Sequence, residues 1–495
     1  MSALTLADLW LALRHALPDS SGAIGETPIR SVVIDSRQAS PDSLFVALRG
    51  EHADGHDYVR DAIANGAAAV IAEERALTSA AGAANFVLPN GEIIAATAVE
   101  PGSAAFVFVA ADSLGALQSL ASYWHAKLAV DTIAITGSVG KTTTKETVAN
   151  VLSQRWRVLA SAGNLNNEIG VPLTLLQLEP GHQKLIVEMG MYDLGEIARL
   201  CELARPRVGV VTNVGPTHME RLGSIQQIAR AKAELVQALP AARDGGVAIL
   251  NSDDALVRAM AGLTQARIFR YGLDPTSDLW ADDISSRGLE GIRFRFHYGE
   301  EAFHVTLPLL GRHSVHTALR AAAVGLVTGL SWTEILAGLL TVRGQLRLLV
   351  VPGPRSTTLI DDTYNASPDS MLAALNLLEE IVGQEHRCIA VLGDMAELGS
   401  YEETGHRLVG GRAAQVVDKL ITVGRRARWI ADEALATGLT APDVHVVDGN
   451  NDAIAILQGL IRPGDVILIK GSRAAGMEAV VDALCQKHTT EGNRS

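Results

Sequence analysis

The sequence predicts an α/β protein of three domains: an N-terminal mixed α/β domain, a central parallel-sheet domain and a C-terminal doubly wound domain. Three observations carry this expectation. The chain has 495 residues, more than one ordinary hydrophobic core organises, so its length implies about three domains. Short apolar runs rich in β-branched residues alternate with helical stretches through most of its length, the pattern of parallel strands buried on both faces. One of those runs ends in a glycine-rich turn that opens directly into a helix.

In chain order, MSALTLADLWLALRHALPDS reads as an amphipathic helix, because Asp8, Arg14 and His15 interrupt any apolar leader. SVVIDSR (31–37) and SLFVALRG (43–50) read as strands, and DYVRDAIANGAAAVIAEE (57–74) as helix, glycine turn and strand. Residues 78–104, rich in Ala, Gly and Pro, read only as loop and irregular structure. A first domain therefore covers 1–111. The second, 112–343, opens with a helix through SLGALQSLASYWHAKL. It continues with strands DTIAITG (131–137), KLIVEMG (184–190), RVGVVTNVG (207–215) and GVAILN (246–251). The stretch 287–311 changes to period-two alternation, an antiparallel addition, and HSVHTALRAAAVGLVTGL (313–330) is a helix. The third, 344–495, strings the strands STTLIDD, RCIAVLGDM, KLITVG, VHVVDG and DVILIKGS between helices.

Composition removes several classes of function. The chain is 48% hydrophobic and 20% charged, which is globular. Its formal charge of −13 and its 4% aromatic content argue against nucleic-acid or anionic-membrane binding, which need a basic footprint or stacking platforms. Cys201, Cys388 and Cys485 are too scattered for a disulfide framework or a metal knuckle, so they are expected to be reduced thiols. No stretch reaches the roughly 18 apolar residues of a membrane helix. The expectation is a soluble, cytoplasmic protein.

The sharpest chemical signal is ITGSVGKTTTKETVANVL (135–152). Glycines at 137 and 140 let backbone N–H groups turn toward phosphate oxygens, and the helix that follows adds the positive end of its dipole. Lys141 can reach β- and γ-phosphates, and a threonine hydroxyl can ligate Mg²⁺. Ile135 stands where the general eight-residue loop has its first glycine, so this is a shortened GxxGKT form. Such a loop needs a metal partner. Glu188 ends the strand KLIVEMG, at the carboxyl edge where parallel sheets bind ligands, and His218 follows another strand end. Lys232 lies in IARAKAEL. Each also has a plain reading, as a solvated strand-end carboxylate, a structural histidine and a helix-surface lysine.

Together these pieces resemble the Mur ligase family, and within it the branch that adds D-alanyl-D-alanine. The similarity runs through TGSVGKTTTKE, NLNNEIGVPLTLLQL (164–178), VEMGM (187–191), TNVGPTHMERLGS (212–224), LIDDTYNASPDSM (359–371), LGDMAELG (392–399) and KGSR (470–473). It implies an ATP-dependent amide ligase with ATP and Mg²⁺ as cofactors and UDP-N-acetylmuramoyl-tripeptide and D-alanyl-D-alanine as substrates, acting as a monomer through an acyl-phosphate. By resemblance, Gly137, Ser138, Val139, Gly140, Lys141, Thr142 and Thr143 hold the nucleotide, with His313 and Asp362. Thr142, Glu188, His218 and a carbamylated Lys232 hold the metal, and Asn166 and Asn167 line the catalytic crevice with Lys141. Ser36 and Arg37 of DSR, Asp54 and His56 of DGH, and Tyr364 and Asn365 meet the substrates.

The chain departs from the family pattern at two places. HSVHT (313–317) has Ser314 and Thr317 where the family has asparagines, and Gln345, not arginine, follows Gly344, with Arg347 two residues on. These departures touch the adenine side. Two rival readings remain: a sibling ligase adding a single amino acid, and a nucleotide-binding scaffold without turnover.

Overall fold

The structure, a computed structural model, describes residues 4–13, 25–50, 53–90, 92–95, 105–341, 349–382 and 386–485. Gly344, Gln345 and Arg347, and with them the junction expected at 343, lie outside the described residues. The chain divides into two compact units. One comprises Met1–Ala134, Trp156–Met191 and Gly195–Arg207. The other comprises Ile135–Arg155, Tyr192–Leu194 and Val208–Ser495.

The first unit contains a six-stranded sheet in the order Ser31–Val33, Ser43–Val46, Ala69–Glu73, Phe106–Ala110, Asn85–Val87, Ile93–Ile94. All neighbours are parallel except the last pair. The expectation of structureless chain over 78–104 is therefore corrected, since two strands lie within it. Asn85–Val87 is only three residues long and takes its pairing from Phe106–Ala110, so no local periodicity announces it. The N-terminal helix includes Leu6–Ala12, with Thr5 and Asp8 forming a reciprocal capping box; the rest of the expected amphipathic stretch, 14–20, lies outside the described residues. In the same unit Val158–Ala160 pairs in parallel with Lys184–Glu188.

The second unit contains parallel strands Val208–Val211, Val247–Asn251, Arg267–Gly272 and Leu279–Ser286 in register order. The expected antiparallel addition follows as Ile292–Tyr298 and Glu301–Leu307. A further six-stranded sheet runs Leu349–Pro352, Thr358–Asp362, Val466–Lys470, Cys388–Gly393, Lys419–Val423, Val444–Val447. It is parallel except at its first pair. Successive side chains of one strand point to opposite faces. Cys388, Ala390 and Leu392 accordingly enter one core and Ile389 and Val391 another. Both faces are covered, which is why these strands read as continuous apolar runs. Among the described residues no helix is long and apolar enough to cross a membrane.

Candidate active site

In the second unit the strand ending at Thr136 passes into the loop Gly137–Gly140 and then into the helix Lys141–Leu152. Gly137 has φ +147° and Gly140 φ +82°, values a β-carbon disfavours. A Cβ on Gly137 would sit 1.8 Å from Thr212 Oγ1. No side-chain hydrogen bond caps the helix at Gly140, and the positive end of its dipole faces the loop. The loop is clamped by the segment after Val208–Val211. Thr212 Oγ1 and Asn213 Nδ2 both donate to Val139 O, at 2.7 and 3.0 Å, and Val139 N donates to Asn213 Oδ1 at 2.9 Å. Ser138 Oγ accepts from Gly215 N at 2.8 Å. These bonds turn the Val139 carbonyl onto protein donors and away from an incoming phosphate. Gly137→Ala is expected to weaken ADP binding by at least about tenfold, measured by calorimetric titration; unchanged affinity would take the loop out of nucleotide binding.

Lys141 Nζ donates to Gly137 O at 2.8 Å and Ser138 O at 3.3 Å. Its ammonium thus lies over the mouth of its own loop. Lys232, on the helix Ile225–Gln237, is buried at 2% exposure. Burial, and secondarily the charge of Lys141, pushes its amine pKa well below the ordinary lysine range. The helix-surface reading of Lys232 is corrected by this placement. His218 sits in the left-handed region, φ +59°, just before Met219–Leu222. Its Nδ1 is 2.6 Å from Glu397 Oε2, and its ring meets Tyr192 edge-on at 5.4 Å. The His218 contact holds the Glu397 carboxyl below its usual pKa.

Farther along the second unit, Lys470, 2% exposed, binds Asp362 Oδ2 at 2.7 Å and donates to Asn365 O at 2.8 Å. The Arg473 guanidinium lies 5.8 Å from the Tyr364 ring centroid. One lysine thus ties together the loop that carries Asp362, Tyr364 and Asn365. At the departing motif, Ser314 Oγ donates to Leu310 O at 2.6 Å and Thr317 Oγ1 accepts from Arg320. His313 is exposed, against Gly311. Both substituted hydroxyls therefore have internal partners.

In the first unit, Glu188 is 1% exposed at the end of Lys184–Glu188. Asn166 Nδ2 donates to its Oε1 at 2.8 Å, and its N–H donates to Ser161 Oγ at 3.2 Å. Asn167 Oδ1 instead accepts from Gly170 N at 2.9 Å, at the start of the helix Gly170–Leu176. Asp54 accepts from His56 Nδ1 at 2.7 Å and pairs with Arg75, while His56 Nε2 accepts from Glu73 N at 3.0 Å. Arg75 Nη2 lies 2.7 Å from the same Nδ1. His56 is 2% exposed and braces the loop, leaving Asp54 and Arg75 nearer the surface. Ser36 is buried, and the exposed Arg37 is bidentate to Asp35, holding that carboxyl at about 2.

Sequence reasoning passed over Thr212, Asn213, Glu397 and Lys470. The first two were legible as the polar pair directly after a strand, and Lys470 as a cation ending one. Glu397 lies within LGDMAELG (392–399), where nothing in the run itself points to His218.

Family models match along most of the chain: the "Mur ligase family, catalytic domain" over residues 28–117, the "Mur ligase middle domain" over 135–325, and the "Mur ligase, glutamate ligase domain" over 346–473. The chain is 40% identical over 485 residues to the UDP-N-acetylmuramoyl-tripeptide–D-alanyl-D-alanine ligase of Mycobacterium tuberculosis, covering 93% of this chain and 92% of that one. It is 35% identical to the Escherichia coli enzyme of the same name, covering 93% and 94%. Among solved structures, MurF from Acinetobacter baumannii superposes with a TM-score of 0.81 at 29% identity, over 98% of this chain and 99% of that one. MurF from Thermotoga maritima in complex with ADP gives 0.76 at 26% identity, over 94% and 99%.

Proposed function

The chain belongs to the Mur ligase family, and from that premise we propose that it joins D-alanyl-D-alanine to UDP-N-acetylmuramoyl-tripeptide, using ATP, in peptidoglycan precursor synthesis. The observation that carries the reading is the loop Gly137–Gly140, held open by Thr212 and Asn213 with Lys141 across its mouth. The chain is read as three functional parts, 1–111 for the UDP substrate, 112–343 for ATP and 344–495 for the dipeptide, in a cytoplasmic monomer.

Forming an amide from a carboxylate requires a leaving group. The γ-phosphoryl of ATP passes to the tripeptide's terminal carboxylate, giving an acyl-phosphate and ADP. The dipeptide's amine then attacks the acyl carbon, the C–O bond to phosphate breaks, and the amine proton leaves with inorganic phosphate or solvent. In the first step two anions must meet. The loop N–H groups orient the phosphates, and Lys141 offsets their charge at fixed geometry. His56 and Arg75 brace Asp54 toward the UDP moiety, and Lys470 holds the Tyr364–Asn365 loop for the dipeptide. His313 and Asp362 are read on the nucleotide side, and Asn166 orients Glu188.

Magnesium fits the donor set. This ion keeps several waters and takes one or two protein ligands beside phosphate oxygens. Among the described residues no cluster of three or more His, Cys, Asp or Glu side chains forms a cage, while Thr142 stands at the helix start. Thr142, His218 and a carbamylated Lys232 are the proposed ligands in the second unit. When bound, the ion neutralises charge on the transferring phosphoryl group.

An acceptor screen tests the reading. With ATP, Mg²⁺ and UDP-N-acetylmuramoyl-tripeptide, phosphate release is expected with D-alanyl-D-alanine and not with single amino acids. Turnover with a single amino acid would assign a sibling activity, and no release with any acceptor would leave a scaffold.

A further inference from the structure

Behind the phosphate loop lies a cation that the mechanism above does not use. Arg320 is the only charged residue of the helix Val315–Thr328, set among buried Ala318, Leu319, Ala321, Ala322 and Ala323. It is itself only 4% exposed. Its Nε donates to Thr144 Oγ1 at 2.8 Å and its Nη2 to Thr317 Oγ1 at 2.9 Å. Its guanidinium carbon lies 6.0 Å from the Tyr271 ring centroid. Among the described residues no carboxylate comes within 4.0 Å of it. A guanidinium taken out of water with only hydroxyls and a ring around it is costly unless an anion compensates it.

The geometry says where that anion arrives. Nη2 is 3.2 Å from the point a Cβ on Gly140 would occupy, so the cation touches the back of the loop at its last glycine. Thr144 Oγ1, which accepts from Arg320, donates in turn to Gly140 O at 2.6 Å. The chain Arg320 to Thr144 to Gly140 polarises each bond in the same direction. It pulls the Gly140 carbonyl toward the helix and away from the loop's mouth. Thr317, which replaces an asparagine of the family pattern, accepts the second guanidinium bond.

We propose that Arg320 is a positioning residue for the nucleotide's phosphates: through Thr144 it fixes the Gly140 peptide, and its buried charge favours the polyphosphate that the loop receives. The inference rests on the ATP-dependent reading of the site. A merely structural arginine would, on removal, disturb binding of the nucleoside and of its phosphates alike. A phosphate-directed one loses affinity in proportion to ligand charge.

The test measures binding of adenosine, AMP, ADP and ATP to the full chain and to Arg320→Met and Arg320→Lys, with thermal denaturation as a check of folding. For Arg320→Met the dissociation constant of ADP is expected to rise by about tenfold or more, while that of adenosine moves by less than about twofold. KM for ATP rises more than kcat falls, and Arg320→Lys recovers part of the loss. Parallel losses for adenosine and ADP, or no loss, overturn the proposal. If Arg320→Met does not fold, Thr144→Val decides: it removes the hydroxyl that relays Arg320 to Gly140 O without altering charge, and is expected to weaken ADP about threefold and leave adenosine unmoved. Equal effects on both ligands, or none, overturn it there too. A wild-type chain that binds neither ADP nor ATP would instead defeat the ligase reading itself.

Discussion

Lys141→Ala is expected to lower kcat/KM for ATP in the ligation reaction by on the order of 10²–10³. Its ammonium lies 2.8 Å from Gly137 O, a position from which it would meet oxygens of a triphosphate seated on the loop N–H groups. Phosphoryl transfer asks for charge stabilisation and alignment rather than covalent help, so deleting this cation removes an interaction strongest in the transition state. Lys141 bonds the Gly137 and Ser138 carbonyls, but Thr212 and Asn213 hold Val139 independently of it, so the variant is expected to keep its fold, which thermal denaturation checks. Lys141→Arg is expected to restore little, because a planar guanidinium does not replace a compact ammonium. Steady-state phosphate release with both co-substrates saturating checks this. A loss smaller than about threefold would show that the loop lysine does not meet the transferring group.

The second large effect concerns Lys232. A buried lysine whose pKa is driven down by burial and by Lys141 spends more of its time as the neutral amine. In the proposed modification the neutral amine would attack CO₂: an N–C bond would form, one proton would leave to solvent, and the product would be a carbamate anion. Beside Lys141 that anion would convert repulsion into attraction and would supply the proposed carboxylate-like metal ligand. Lys232→Ala is expected to lower turnover by on the order of 10², with partial rescue by formate or acetate. The wild-type enzyme is expected to lose activity in CO₂-depleted buffer and regain it with bicarbonate. The sign with pH follows from the depressed amine. Loading improves as pH rises, because more amine is neutral. The unmodified protein also gains stability as pH climbs from the depressed folded value toward the ordinary lysine value, since there the unfolded chain holds a proton that the folded one has lost. Full activity in Lys232→Ala, with no response to bicarbonate, would falsify this assignment.

Legibility varied with how local the cause was. The glycine turn, Lys141 and Thr142 were readable because strand, turn and helix each follow from adjacent residues. The strands of the last domain were readable because both faces of that sheet are buried, so nearly every position in Cys388–Gly393 and Val466–Lys470 is apolar. Asn85–Val87 was not readable: three residues have no period of their own, and their pairing comes from Phe106–Ala110, about twenty positions away along the chain. Leu349–Pro352 was missed for a related reason, since it is an edge strand that pairs only with Thr358–Asp362. Asn166 and Asn167 look alike in sequence, yet one holds Glu188 and the other caps a helix.

By itself, then, the sequence determined the α/β class, the phosphate loop and the chemistry of the residues around it, because backbone conformation and side-chain charge are set within a few residues. The tertiary structure decided which groups are buried, and burial is a property of distant partners. Lys232 becomes a depressed amine only when its helix is covered. Arg320 becomes a cation behind the loop only when the helix Val315–Thr328 packs on Lys141–Leu152. The Val139 carbonyl turns onto protein donors only because Thr212 and Asn213, more than seventy residues on, arrive to bind it.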